Sequence, residues 1–200
     1  MKHFTRLSWN SNGWQHPSGI ANKCKGAGNN RLYECLHGFG WEEWIFHYIE
    51  HKDGYCYGFL QCFNNKNKKH KIIKELHLYT RKCIGACNPN AKSETFYVGK
   101  ISELEVLGKE HATIVNSVIS ANEKMMKENL DDAEIKKYDA EFNILKKNGK
   151  IFNVRFKRSN VKIPKGPVEN RSIKLPHGLY RFNLYDITNR TQFINQIKKY

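Results

Sequence analysis

The chain lacks any apolar run approaching the roughly 18 residues of a membrane span. Its opening Met-Lys-His-Phe-Thr-Arg leads into polar sequence rather than the apolar segment of a secretory signal. Both absences predict a cytoplasmic protein without membrane association. The sequence also lacks a Walker phosphate-binding pattern, an HNH motif and a PD-(D/E)xK constellation, so it assigns no catalytic residue, and no metal or cofactor is expected. Only Cys83-x3-Cys87 has zinc-compatible spacing, with His77 available as a third ligand, and a second close pair is missing. With Cys24, Cys35, Cys56 and Cys62 these make six cysteines, read as reduced thiols. Acid is scarce: 34 Lys and Arg face 19 Asp and Glu, for a net charge of +15. Such an imbalance favours a polyanionic partner, the competing reading being lysine-rich loops that only maintain solubility.

The charge is unevenly spread. Asn64 to Lys82 holds seven bases and one acid, and Lys146 to Lys174 holds ten and one. Between Glu103 and Glu141 the balance reverses to five bases and ten acids. Two hundred residues suit a single domain, 1–200, and hydrophobic periodicity supports many short strands around a helical insertion at about 109–145, within which Asp131-Asp132 opens another short helix. The expected strands are Phe4 to Trp9, a hairpin of Glu43 to Tyr48 with Tyr55 to Phe63, a strand around Leu76 to Thr80 with one buried face, and Thr95 to Leu107 with a bulge near Gly99. Phe152 to Phe156 and Leu179 to Ile187 complete the set, before a C-terminal helix capped by Thr188 or Asn189. The expected class is α+β: a small curved mixed sheet or partly open barrel with packed helices.

All four tryptophans, Trp9, Trp14, Trp41 and Trp44, fall in the first 44 residues, beside turn formers and charge. Flat aromatic faces next to polar groups suit a pocket that stacks on a base and reads its edge. Trp9, Asn10, Asn12, Trp14, Trp41, Glu42 and Glu43 are therefore the base-pocket candidates. Trp44, followed by Ile45 and Phe46, is assigned to the core, and glycine-flanked Trp41 is the more exposed of that pair. The amides and carboxylates can read a base edge, although each glutamate has a structural alternative as an ion-pair partner of Arg31 or a backbone cap. Phosphate contacts are assigned to Lys23, Lys25, Arg31, Lys66, Lys68, Lys69, Lys71, Arg155, Lys157, Arg158 and Lys165.

The motifs Asn12-Gly13-Trp14, Pro17-Ser18-Gly19, Tyr33-Glu34, Gly38-Phe39-Gly40, Glu42-Glu43-Trp44 and Phe152-Asn153-Val154-Arg155-Phe156 resemble a bacterial family with N-x-G-W-x-x-P-x-G, G-F-G-H-E-E-W-x-F and F-N-V-R-F patterns. Several of its members stand beside, or fused to, nucleases of restriction systems. The sheet, aromatic loops and basic surface also resemble the PUA-like group of EVE, YTH, ASCH and SRA domains. The resemblance implies a nucleic-acid-binding module, DNA rather than RNA, that flips a methylated or hydroxymethylated base into an aromatic pocket and serves a nuclease or other effector on a separate chain. This chain has Trp41 where the family pattern has histidine. Two alternatives stand beside this expectation. A hydrolase or nuclease would use Glu42 and Glu43 with His37, His47 or His51, although adjacent carboxylates on a strand point to opposite faces. A protein-interaction module would place the tryptophans at a partner surface.

Overall fold

The computed structural model describes residues 1–19, 39–64, 72–83, 93–108, 111–147, 151–176, 179 and 182–200. In chain order the elements are β1 (Lys2–Leu7), β2 (Cys56–Gly58), β3 (Ile72–Cys83), β4 (Ser93–Val106), α1 (Ala112–Lys127), α2 (Asp132–Lys147), β5 (Val154–Phe156), β6 (Val161–Lys162), β7 (Tyr185–Asp186) and α3 (Thr191–Lys198). The strands form one open mixed sheet in the order β2-β5-β4-β3-β1-β7, with β6 added on β4. Among the described strands, only β1 and β3 run parallel. The α+β class and mixed sheet expected from the sequence are present, with the two helices of the insertion between β4 and β5.

Period-two alternation divides the core between the faces of this sheet. Leu7, Leu76, Leu78, Val98, Ile101 and Leu104 join a large cluster with the Phe39 to Phe63 region and with Val118, Ile119, Met126, Tyr138 and Phe142 of α1 and α2. Phe4, Tyr79 and Tyr97 point the other way and pack with Phe193, Ile194 and Ile197 of α3. The β3 strand is thus buried on both faces, not on one as its alternation suggests. The bulge is where glycine marks it: Leu78 faces Gly99 and Tyr79 faces Tyr97, leaving Val98 as the extra residue. A Cβ on Gly99 would stand 2.5 Å from the Lys162 carbonyl oxygen, so glycine lets β6 cross close to β4.

Three local expectations are corrected. Trp41–Trp44 is a short 3-10 helix, and β2 pairs with β5, so the expected hairpin shrinks to a single Glu50–Cys56 bridge. The final strand is only Tyr185–Asp186. The last helix has Arg190 at its N-cap, while the Thr188 hydroxyl accepts a bond from the Lys2 backbone N–H at 2.9 Å. By contrast, Asp131 caps α2 as expected: Glu134 N–H donates to its carboxylate at 2.8 Å, and Asp131 N–H donates back to Glu134 at 3.2 Å.

Candidate functional site

The tryptophan segments fold into a buried polar staple. Asn10 is fully buried, and its Oδ1 accepts from the backbone N–H groups of Asn12 (2.7 Å) and Trp14 (3.0 Å). Its Nδ2 donates to the His16 carbonyl and to Glu43 Oε2 at 2.7 Å. Glu43 also accepts from Ser18 N–H (3.2 Å) and, through Oε1, from Gly40 N–H (2.6 Å). Glu42 accepts from the Ser8 hydroxyl at 2.9 Å and from Gln61 N–H at 3.3 Å. Asn12 donates to the Pro17 carbonyl at 2.8 Å. These polar groups satisfy loop backbone that would otherwise be buried without partners.

The rings are equally committed. Trp9, Trp14, Trp41 and Trp44 are 9%, 2%, 5% and 0% exposed. Trp41 packs on Phe39, Tyr138 and Phe142, so it is core like Trp44 and not the exposed member of the pair. Trp14 adopts a left-handed φ of 58°, held by its N–H bond to Asn10 and by an indole N–H bond to the Ser8 carbonyl at 3.1 Å. Trp9 packs on Phe96 with Lys82 above its ring, while Trp14 meets Phe46. The two do not face each other across a slot, because the turn between them sends their rings to different neighbours.

The phosphate candidates divide. Lys23, Lys25, Arg31, Lys66, Lys68, Lys69 and Lys71 lie outside the described residues. Arg155 lies over the Tyr55 ring at 4.4 Å and makes two bonds to Glu105 Oε2, at 2.8 and 2.7 Å. Arg158 donates to the carbonyls of Phe46 and Tyr48. Both are structural cations as well as surface ones. Lys157 and Lys165 are exposed. For the hydrolase alternative, Glu42 and Glu43 are turned into the protein, His47 meets Gln15 at 3.1 Å, and His37 lies outside the described residues. His51 stands 3.4 Å from both Ser117 Oγ and Asp53 Oδ1, too long for a tight proton relay.

A different place gathers charge. A cavity of about 400 Å³ on the α3 side of the sheet is lined by Lys2, Lys100, Lys162 and Lys198 around one side-chain carboxylate, Glu75. Strand register builds it: Lys2 stands opposite Glu75, His77 opposite Lys100, and Lys100 opposite Lys162. Like charges directly opposite in an antiparallel pair repel. Glu75 relieves only part of this, at 3.0 Å from Lys2 and 4.0 Å from Lys100. Among the described residues no carboxylate pairs with Lys162 or Lys198. Ile163, Pro164, Ile194, Ile197 and Tyr200 form an apolar wall.

Beneath the lysines lies a buried relay. His77 Nε2 is 2.7 Å from Glu75 Oε1, and Nδ1 is 2.8 Å from the Tyr97 hydroxyl. Burial lowers the His77 pKa, against the opposing pull of Glu75, so the ring is neutral at pH 7. The ionised carboxylate only accepts, which puts the proton on Nε2 and leaves Nδ1 to accept from Tyr97. Burial raises the Tyr97 phenol well above its usual value and keeps it a donor. For Glu75, burial pushes upward, but hydrogen bonds from Lys2 and His77 outweigh it and hold the carboxyl below its usual range. Arg171, itself buried, donates to the carbonyls of Val98 and Gly166 beside this wall.

Comparison with known proteins gave no matching family model, no matching curated protein and no matching solved structure. The cleft residues escaped sequence reasoning because they come from β1, β3, β4, β6 and α3, with no shared local pattern. His77 alone was noticed, as a zinc ligand, whereas both its nitrogens are engaged by Glu75 and Tyr97.

Proposed function

We propose that this protein binds nucleic acid through its basic surface, with the lysine-rimmed cleft as the central contact. The observation that carries this reading is the Lys100–Lys162 cross-strand pair, a repulsive juxtaposition that an anionic ligand would relieve. The net charge of +15 gives the same sign of partner on a larger scale. The motif resemblance to modules beside restriction nucleases directs the first assays to DNA, in a cytoplasmic setting, with the nuclease or effector as a separate chain. A base-reading slot needs an open aromatic face. The described tryptophans are packed, so the proposal does not place a modified base between them, and modification enters as a variable of the assay.

The test is equilibrium binding of unmodified, methylated and hydroxymethylated DNA, single-stranded and duplex, at two salt concentrations. Lys100→Gln and Lys162→Gln should each weaken binding and reduce the salt slope by about one. Unchanged affinity and slope in both variants would remove the cleft from the interface. A preference for modified duplex would restore base recognition and locate it away from the packed tryptophans.

A further inference from the structure

The cleft is more than a basic patch, because an internal phosphate backbone would need only the lysines. Its lining is also apolar, with Ile163 and Pro164 following β6 and Ile194 and Ile197 on α3. Ile163 stays 42% exposed, while Ile194 and Ile197 at 8% and 2% are held in the core, so the apolar surface open to a ligand is centred on Ile163. The volume of about 400 Å³ falls within the usual range for small-molecule pockets. A ligand that satisfies both parts of this lining carries a flat, weakly polar body and a compact anion at one end. A phosphate monoester, more highly charged than a diester, suits Lys100 and Lys162 best, since among the described residues Glu75, 4.0 Å from Lys100, is the one acidic side chain that offsets the pair.

We propose that the cleft takes a nucleoside monophosphate unit, the phosphorylated terminal nucleotide of a strand, with its phosphate on Lys100 and Lys162 and its base against the apolar surface centred on Ile163. This rests on the nucleic-acid reading above and narrows it from backbone to chain end. The buried Tyr97–His77–Glu75 relay then acts on position: it fixes the carboxylate that holds Lys2 at one side of the anion subsite.

The experiment compares short single strands bearing a 5′-phosphate, a 3′-phosphate or hydroxyls at both ends with a circular strand of the same composition. Adenosine monophosphate, adenosine and inorganic phosphate serve as competitors. A phosphorylated end should bind about tenfold tighter than the hydroxyl-ended or circular strand. Adenosine monophosphate should compete better than adenosine or phosphate alone. Lys162→Gln, at an exposed position where folding is not at risk, should abolish the end preference, and Ile163→Ser should abolish the advantage of the nucleotide over inorganic phosphate. Equal binding of circular and phosphorylated strands would overturn the end assignment while leaving nucleic-acid binding intact. Failure of every strand to bind at low salt would overturn both. If the free nucleotide binds as tightly as the phosphorylated strand, the nucleotide site stands and its strand-end origin falls.

Discussion

Glu43 and Glu75 are both carboxylates held by several hydrogen bonds, yet they belong to opposite kinds of site. Glu43 is sealed in the N-terminal staple, where it accepts from neutral, fixed donors: an Asn10 amide and the backbone N–H groups of Ser18 and Gly40. Glu75 is partly open: it accepts from the Lys2 ammonium at 3.0 Å and has the Lys100 ammonium 4.0 Å away, both on flexible stems. A fixed neutral donor set organises backbone, whereas mobile cations can turn toward an incoming anion. The comparison separates scaffold from candidate site more sharply than the residue types themselves, which had directed attention to Glu42 and Glu43.

The largest expected effect lies on the scaffold side. Glu43→Ala leaves buried donors from three residues without their acceptor and should lower unfolding free energy by about 3 kcal/mol. Urea denaturation measures this, and a change below about 0.5 kcal/mol would show that the staple is dispensable. Trp41→His follows, at about 2 to 3 kcal/mol, because the smaller polar ring would replace an indole packed on Tyr138 and Phe142. That substitution puts the residue of the resembled motif into this core. Retained stability with gained ligand affinity would move the position from scaffold to site.

How much of this was legible depended on the sequence distance of the partners. The bulge at Gly99 and the Asp131 cap were readable because their chemistry is local. The acidic helical insertion was readable from its period. Trp44 is readable as core from the Ile45 and Phe46 that follow it, whereas the exposure that the surrounding turn formers suggest for the other tryptophans is absent, because Asn10, Glu43 and Ser18 internalise those turns. Asn153 shows the same limit. It exchanges bonds with Leu60, accepting its N–H at 2.9 Å and donating to its carbonyl at 3.0 Å, across 93 residues that no local pattern spans. The cleft was illegible for the same reason, since register alone sets Lys100 against Lys162.

On the site side, Glu75→Gln should change affinity more than stability. It removes the one acidic side chain among the described residues of the cleft, leaves a side chain of the same shape, and should strengthen polyanion binding about threefold at low salt, the gain fading as salt screens it. Denaturation should move by less than about 1 kcal/mol, as expected for partly exposed ion pairs. Weakened binding instead would mean that Glu75 matters chiefly by holding Lys2 in place, bringing it closer to Glu43 in character.

The smallest expected effect is the pH dependence of the relay. His77 is buried neutral, with its folded pKa below the ordinary value of 6.5. As pH falls through 6.5, the unfolded chain takes up a proton that the folded chain resists, so stability declines on the acid side of that value until the folded pKa is passed. One proton limits the slope to about 1.4 kcal/mol per pH unit. Glu75, with its folded pKa depressed, contributes stability above its ordinary 4.5 that is lost as pH falls from there through the folded pKa, a lower window. Urea midpoints from about pH 7.5 down to about 2.5 should therefore show two steps, and His77→Gln should remove the upper one alone. If the upper step survives that substitution, another histidine carries it. If His77→Gln also removes the lower step, His77 is what holds the Glu75 carboxyl down, and the relay and the lysine rim form a single electrostatic unit.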